Sequence, residues 1–421
     1  MDGGSWDFHD QKVADPRRTT FLDTPPALST IARIMDKVRI GLVGLGNMGK
    51  THRSNLRAGK VKGLELTAIC DMPQSLPEAV EGEAQFTDVN EMIKSGKIDA
   101  ILIATPHFSH TTIGVAALEA GLHVCVEKPL SVHKADCERL INAHKNPKQV
   151  FSAMFQMRTE PLWKAVKDLV SSGELGTIRR IHWDCSDWFR TEFYYASGGW
   201  RATWKGEGGG VLLNQCPHNL DLFQWIFGMP DQVHGFCNFG RYHQIEVEDD
   251  VTAYFRWADG KNAVFITSTG ETPGKNCLEI VAERGHVTIH PDKITWIRNK
   301  VPMTEWSNDV YSGFAKPETW NVEIPVTGRG GQHVEILQNF TNAILHGEKL
   351  MTPASEGIHS IELANSILLS GWLGKTIDLP MDSAVYEKEL LTRANSSTFQ
   401  KKTLDPEKVR ISQEDFAKSF R

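Results

Sequence analysis

Two short groups of residues have side-chain types and spacings that could do chemistry. The first is a glycine-rich turn, Gly44-Leu45-Gly46-Asn47-Met48-Gly49, which follows an apolar segment and precedes a helix-like one. Glycines let the backbone approach phosphate groups, and the free N–H groups of a helix N-terminus attract anions. The second group is Glu127-Lys128-Pro129, which ends another apolar segment. Together they predict a dinucleotide on the turn and redox chemistry beside the Lys128 ammonium.

An acidic residue, Asp71, ends the next apolar segment after the glycine turn. A carboxylate at this place can accept hydrogen bonds from a ribose diol and would repel a 2′-phosphate, so we predict NAD rather than NADP. Asp71 could instead cap the following turn, and the glycines could serve packing alone. The predicted cofactor-binding residues are Gly44, Gly46, Asn47, Met48, Gly49, Asp71, Thr105, Pro106, Glu127 and Lys128.

From Lys37 onward, short apolar segments alternate with helix-like segments, which indicates a parallel sheet covered on both faces. Strands are expected at 38–43, 64–70, around Phe86, and at 100–104, 122–126 and 150–153, and the first helix is expected to begin at Thr51. Ligands of such sheets bind at the carboxyl ends of the strands. The turn, Asp71 and Lys128 all fall there.

Beyond Gln156 the pattern changes to period-two alternation, which is typical of antiparallel hairpins. Strands are expected at 178–184, 233–239, 250–257, 263–268, 278–282 and 293–297, with helices at 160–171, 332–345 and 357–370 and one ending at 227. We therefore predict an α/β fold class, with an N-terminal Rossmann dinucleotide-binding domain followed by an α+β domain that has a large open-faced, mostly antiparallel sheet. The predicted parts are a flexible N-terminal extension at 1–35, the Rossmann domain at 36–155, a substrate and oligomerisation domain at 156–384 and a charged C-terminal tail at 385–421.

Length and composition exclude several classes of protein. The 421 residues exceed what one core usually supports, and the formal net charge of -6 leaves no basic stripe for nucleic acid. Seven cysteines without a C-x-x-C pair argue against a disulfide framework and a zinc site. No segment has the pattern of a membrane span or an ordinary secretory signal. We expect a cytoplasmic protein with no bound metal and no nucleic-acid or membrane partner.

A third group of glycine, aromatic and polar residues lies further along the chain. It consists of Gly198-Gly199-Trp200-Arg201 and then Gly208-Gly209-Gly210-Val211-Leu212-Leu213-Asn214-Gln215-Cys216-Pro217-His218-Asn219-Leu220-Asp221. With the glycine turn and Glu127-Lys128-Pro129, this order of motifs resembles the glucose-fructose oxidoreductase / inositol dehydrogenase (Gfo/Idh/MocA) family, from about Val38 to Pro380. The resemblance implies a Rossmann domain joined to an open-faced α/β domain, and oxidation of a secondary hydroxyl of a sugar or cyclitol.

The resemblance also implies catalytic roles for Lys128, His218 and the position of Asn214. Lys128 would orient the hydroxyl and stabilise a developing alkoxide, and His218 would accept the proton, since imidazole titrates near neutrality. The family usually has aspartate where this chain has Asn214, so we expect a less basic His218. At i, i+4 spacing the two residues could share a helix face, unless Pro217 begins or bends the helix. Taken singly, Lys128 could be a surface lysine and His218 a core residue.

Aromatic and polar side chains of the second half are suited to a sugar, because rings stack on its C–H face and polar groups bond its hydroxyls. The predicted substrate-binding residues are Gln156, Arg158, Tyr194, Trp200, Arg201, Trp204, Lys205, Asn214 and His218. His107 and His110 are expected to be loop histidines, because no third metal ligand accompanies them.

The primary hypothesis is a dehydrogenase acting on a small-molecule carbohydrate, assembled as a homo-oligomer (dimer or tetramer) through the open sheet face. One alternative is an NAD-dependent glycoside-cleaving enzyme that oxidises a ring carbon transiently and recycles its cofactor. That enzyme needs a further base, from Tyr194, Tyr195 or another histidine. The second alternative is a non-catalytic NAD-dependent sugar sensor.

Overall fold

The structure, a computed structural model, describes residues 36–290 and 292–401. The predicted N-terminal extension at 1–35 and residues 402–421 of the predicted C-terminal tail lie outside the described residues. Among the described residues, no helix combines the length and apolarity that a bilayer crossing requires.

The first half alternates strands and helices as predicted. Its elements are β1 (Val38–Val43), α1 (Asn47–Arg57), β2 (Leu64–Cys70), β3 (Ala84–Phe86), α2 (Val89–Lys94), β4 (Ala100–Ile103), α3 (Phe108–Glu119), β5 (His123–Glu127), α4 (Lys134–Ala143) and β6 (Phe151–Met154). The six strands form one parallel sheet in the order β3-β2-β1-β4-β5-β6. All four residues of β4 are fully buried, as expected of a central strand covered on both faces. The strand order reverses between β1 and β4, which makes their carboxyl ends the expected ligand crevice.

Helix α1 begins at Asn47, so the prediction that it begins at Thr51 was wrong. Gly46 is the residue immediately before the helix, and no side chain caps its first N–H groups. The helix therefore starts inside the glycine turn and directs its unpaired N–H groups toward the sheet edge.

The second half contains most of the remaining elements. They are α5 (Pro161–Ser171), β7 (Ile178–Cys185), α6 (Glu192–Ala196), α7 (Pro217–Phe227), β8 (Gln232–Phe239), β9 (Glu248–Arg256), β10 (Asn262–Ser268), β11 (Asn276–Ala282), β12 (Gly285–His290), β13 (Lys293–Asn299), α8 (Met303–Asp309), β14 (Thr319–Ile324), α9 (Gln332–His346), α10 (Ala354–Leu373), β15 (Ile377–Asp378) and α11 (Ser383–Ser396). Short 3₁₀ helices lie at Pro73–Ser75 and Gln156–Thr159.

These nine strands form one sheet in the order β14-β13-β12-β11-β7-β10-β9-β8-β15. The sheet is antiparallel, as predicted, except that β7 pairs in parallel with β10. Strands β12, β14 and β15 were not predicted from the sequence. Of these, β14 is largely exposed and β15 has only two residues, so neither carries a strong apolar alternation.

Two late helices pack where the sequence analysis did not place them. In α9, Ile336, Leu337 and Phe340 are fully buried in one apolar cluster with β1 and β4 of the first sheet. In α11, Tyr386 and Leu390 are fully buried at i, i+4 spacing, although charged residues surround them in the sequence. The prediction of a surface tail from 385 onward was therefore wrong for the residues of α11. Helix α9, which lies far along the chain, completes the core of the first sheet.

Candidate active site

The glycine turn lies at the carboxyl end of β1, beside the reversal of strand order. Gly44 has a φ of +91°, and a Cβ there would lie 2.6 Å from the carbonyl oxygen of Ala104. A Cβ on Gly49 would collide with the carbonyl oxygen of Gly44, whereas one on Gly46 would meet no atom within 4 Å. The packing of the turn thus requires two of the glycines. Gly46 instead borders open space at the start of α1, which is where a pyrophosphate would approach.

The Asp71 carboxylate lies against this turn. One oxygen accepts a hydrogen bond from the backbone N–H of Leu45 at 2.5 Å, and the other accepts one from that of Met72 at 2.6 Å. The contact to Leu45 joins residues 26 apart in the chain, so Asp71 does more than cap its own turn. Asn47 and Met48, also predicted to contact the cofactor, are the first two residues of α1.

Lys128 directly follows β5 and is half-buried. Its Nζ donates a hydrogen bond to the backbone carbonyl of Asn214 at 3.0 Å, which joins the two halves of the chain. Burial lowers the pKa of Lys128; the Glu127 and Glu207 carboxylates oppose this change, and the Arg201 charge adds to it. The amine is therefore held at a point where it faces both halves.

Glu127 is buried, and its partners are protein groups. One of its oxygens accepts a hydrogen bond from His52 Nε2 at 2.7 Å, and the other accepts one from the backbone N–H of Lys128 at 3.1 Å. Burial would raise the pKa of Glu127, but the His52 hydrogen bond and nearby positive charge lower it to about 2. His333 of α9 packs edge-on to His52, and burial lowers the pKa of His333 to about 4. Glu127 thus supports Lys128 by a hydrogen bond to its backbone. Neither His52 nor His333 was predicted to be a site residue.

His218 lies in the first turn of α7 and is buried. Its Nε2 is 3.1 Å from the side-chain nitrogen of Gln156, and its ring packs edge-on to Phe155. Burial lowers the pKa of His218 well below its usual value, and the positive charge of Lys128 lowers it further. This shift favours the neutral imidazole, which is the form with a lone pair that can accept a proton.

Asn214 does not share a helix face with His218, contrary to the i, i+4 interpretation. Helix α7 begins at Pro217, because proline fits the first helical position, and Asn214 lies in the turn before it. The side-chain nitrogen of Asn214 donates to Glu207, and its side-chain oxygen accepts a 3.4 Å hydrogen bond from Tyr194.

Three of the predicted substrate residues form one aromatic and cationic cluster. The Tyr194 hydroxyl accepts a hydrogen bond from Arg201 Nη1 at 2.8 Å. The Arg201 guanidinium also lies 4.8 Å from the ring centroid of Tyr194 and 4.5 Å from that of Trp200. Such a cluster combines a flat apolar surface with hydrogen-bond donors, which suits a ring with hydroxyl groups.

The loop after β4 reaches the same region. Thr105 and Pro106 begin it, and His107 is buried edge-on to Trp200 with ring centroids 5.3 Å apart. His110 lies in the first turn of α3, so its prediction as a loop histidine was wrong. Its two ring nitrogens contact the carbonyl oxygens of Thr105 and Pro129, both at 2.9 Å, and it thus supports the preceding loop. His107, in contrast, lies beside a predicted substrate residue. Its position after Thr105-Pro106 was the signal that could have identified it.

Arg158 does not face the cleft, contrary to its predicted substrate role. Its guanidinium forms a buried two-point ion pair with Asp221, at 2.7 and 2.6 Å, and a further ion pair with Glu356 at 2.5 Å. These partners take its donors, so Arg158 is an internal tie between the Gln156–Thr159 segment and α7.

Trp204 also lies elsewhere than predicted. Trp204 is buried against Phe239 and Trp372, with ring centroids 5.7 and 5.5 Å apart, and is therefore a core residue. Lys205 is exposed. The sequence could not separate them from Trp200 and Arg201, because all four belong to one polar and aromatic loop.

Glu207 is a site residue that the sequence analysis missed. It is only 1% exposed, and it accepts hydrogen bonds from Asn214 and from the backbone N–H of Ala202. An acidic residue directly before Gly208-Gly209-Gly210 was the available signal. Within the part of the chain that the structure describes, no group of three or more His, Cys, Asp or Glu side chains could hold a metal ion.

Fold and site together define a two-domain protein with a dinucleotide crevice at a parallel sheet and a basic residue facing a second, antiparallel domain. Comparison with known families agrees with this class. Residues 38–155 match the oxidoreductase family with an NAD-binding Rossmann fold, and residues 163–288 match the GFO/IDH/MocA C-terminal domain. The chain belongs to the GFO/IDH/MocA oxidoreductase family, which confirms the resemblance and the predicted fold class.

Individual relatives cover the chain to different extents. Inositol 2-dehydrogenase of Salmonella typhimurium is 32% identical over 152 residues, which are 34% of this chain and 45% of the relative. The match thus spans less than half of that protein's length. Levoglucosan dehydrogenase of Pseudarthrobacter phenanthrenivorans is 24% identical over 399 residues, 83% of this chain and 100% of the relative. The crystal structure of the WlbA dehydrogenase from Bordetella pertussis, in complex with NADH and UDP-GlcNAcA, has a TM-score of 0.69 at 26% identity, covering 82% of this chain and all of that one.

Proposed function

We propose that this protein transfers a hydride between NAD and a secondary hydroxyl of a sugar, cyclitol or glycoside. The observation that carries the proposal is the 3.0 Å contact from Lys128 Nζ to the Asn214 carbonyl, which holds an amine between the predicted nicotinamide site and the second domain. The names of the relatives support it, since they are dehydrogenases of inositol and levoglucosan, and the WlbA structure contains NADH with a nucleotide sugar.

The residues present fit a dinucleotide. The open space at Gly46 accommodates a pyrophosphate over the N-terminus of α1, and the Asp71 carboxylate at the end of β2 is placed for ribose hydroxyls. NAD, when bound, supplies the hydride acceptor.

The chain's own groups would manage the proton and the developing charge. The Lys128 ammonium donates a hydrogen bond to the substrate oxygen and stabilises it as it becomes an alkoxide. His218, whose lowered pKa favours the neutral form, takes the hydroxyl proton at an imidazole nitrogen, and Gln156 orients its ring. Tyr194, Trp200 and Arg201 would hold the ring of the substrate.

A panel of sugars, cyclitols and glycosides incubated with NAD tests the proposal. We expect at least one compound to yield oxidised product and NADH in equal amounts, measured by reduced-cofactor absorbance and chromatography. Absence of both for the entire panel, with NAD binding intact, would count against a dehydrogenase.

A second candidate, glycoside cleavage with cofactor recycling, is favoured by one specific observation. His107 is a buried histidine beside Trp200, and the positive charge of Lys128 contributes to the depression of its pKa after the larger effect of burial. It could serve as the additional base that elimination requires. In the same panel, consumption of a glycoside at constant NAD would support this candidate. Tyr195, another base considered for it, is buried and hydrogen-bonded to Thr269 at 2.7 Å.

Substitution of Gly46 by alanine is expected to weaken NAD binding about tenfold or more without lowering the melting temperature, because the added methyl enters the pyrophosphate space and meets no protein atom. Calorimetric titration with NAD and thermal denaturation check this. Gly313→Ala is the matched control, since a Cβ there also meets no atom within 4 Å. Unchanged NAD affinity in the Gly46 variant would place the cofactor elsewhere.

Assembly into a homo-oligomer is also part of the proposal. The sheet face away from the helices exposes Phe236 and Tyr254, at 63% and 40%, beside the partly exposed Val264 and Ile266. A second copy could cover this apolar surface. Light scattering should show a dimer or tetramer at micromolar concentration, and Phe236→Asp should shift it toward the monomer. A monomeric natural chain would contradict the proposal.

A further inference from the structure

Glu207 is a buried carboxylate at the junction of the two halves. Its two hydrogen-bond donors, the Asn214 side chain and the backbone of Ala202, are both neutral. Burying a carboxylate among neutral donors is costly, and a neutral side chain of the same size would cost less. Burial raises the pKa of Glu207, and the charges of Arg201 and Lys401 and the two hydrogen bonds oppose this change.

Its neighbour Asn214 connects Glu207 to the reacting region. The side-chain nitrogen of Asn214 donates to Glu207, while its backbone carbonyl accepts the hydrogen bond from Lys128 Nζ. The remaining side-chain oxygen of Asn214 accepts from Tyr194. Glu207 therefore fixes the orientation of Asn214, whose carbonyl accepts the hydrogen bond from Lys128.

The charges that face Lys128 come from several elements. Glu127 at the end of β5 and Glu207 in the glycine-rich loop favour its ammonium form. Burial and the positive charges of Arg201 and Arg190 disfavour that form. Glu127 is hydrogen-bonded to His52, whereas Glu207 is linked to the amine through Asn214.

We propose that Glu207 is a positioning residue for the reaction, which acts through Asn214 and supplies from the preceding loop the negative charge that the chain lacks at position 214. It holds Lys128 in place, and its charge favours the ammonium form while charge develops on the substrate oxygen. The inference rests on the proposed function. It assigns the site's carboxylate to a residue seven positions before Asn214.

The decisive variants are Glu207→Gln, which removes the charge but keeps the shape, and the double variant Glu207→Gln/Asn214→Asp, which returns a carboxylate at the neighbouring position. Competitive acetylation of Lys128 across a pH series, quantified by mass spectrometry, reports its titration without any turnover. We expect the Lys128 titration of Glu207→Gln to move to lower pH, and that of the double variant to return toward the natural protein.

Activity supplies a second readout. The kcat of Glu207→Gln should fall about 10- to 100-fold with a smaller change in substrate KM, its basic limb should move to lower pH, and the double variant should recover most of the loss. If Glu207→Gln does not fold, Glu207→Asp replaces it. That variant should keep the Lys128 titration, because it keeps the charge, yet lose kcat, because its shorter chain does not reach Asn214.

The outcomes separate the two proposals. An unchanged Lys128 titration in Glu207→Gln, or a double variant no better than the single one, overturns the role of Glu207. If the natural protein oxidises nothing in the sugar panel, the proposed function fails, and the acetylation experiment still reports on the Glu207 and Lys128 link.

Discussion

Replacement of Lys128 by alanine is expected to lower kcat about 10²- to 10³-fold while the Kd for NAD changes less than about threefold. The amine contacts the Asn214 carbonyl across the cleft and lies at the predicted reacting end of the cofactor, away from the glycine turn. Its removal takes away a charge that acts on the transition state more than on the ground state, so turnover falls more than binding does. Steady-state kinetics on the best substrate of the panel and NAD titration measure both quantities.

The matched control is Lys388→Ala, since Lys388 is exposed on α11 and should affect neither quantity. Equal loss of NAD affinity and turnover in Lys128→Ala would indicate a cofactor-binding lysine. A biological output that survives the substitution unchanged would favour the sensor alternative, in which no hydride moves.

Replacement of Arg158 by methionine is expected to lower the free energy of unfolding by about 3–5 kcal/mol. Asp221 is 1% exposed and would be left as a buried charge without the guanidinium that now bonds both its oxygens. Most of the cost comes from the stranded carboxylate and not from the lost pair itself. Urea unfolding followed by circular dichroism gives the change.

Lys164→Met provides the comparison, because Lys164 pairs with Glu335 at 3.0 Å on the surface, where such pairs contribute about 0–1 kcal/mol. If Arg158→Met were as stable as the natural chain but had a raised KM for the sugar, the original interpretation of Arg158 as a substrate ligand would stand. The structure predicts the opposite pattern.

Local patterns were sufficient for much of the fold. β-Branched segments alternating with helical ones predicted the parallel sheet, because the side-chain period of a strand or helix is set within a few residues. The glycine turn, Asp71 and Lys128 could be assigned to one crevice, because the carboxyl ends of parallel strands share an edge of the sheet. Pro217 was expected either to lie in the first turn of its helix or to bend it, and α7 begins there.

Other features depended on contacts between residues distant in sequence. The Arg158 guanidinium has the hydrogen-bond donors that a sugar-binding residue needs. Only the folded chain brings the Asp221 carboxylate within reach of those donors. The burial of Phe340 against the first sheet and of Tyr386 in α11 likewise follows from how the last helices return over earlier elements.

The amino-acid order alone therefore determined most of the strands and helices, the glycine turn and the lysine after β5, because each depends on short-range spacing. Only the folded chain showed the hydrogen bonds of Glu207 with Asn214 and of Glu127 with His52. The same is true of the contact between the His107 and Trp200 rings. Hydrogen bonds and buried charges act over a few ångströms in space, and nothing in their spacing along the chain records which groups will meet.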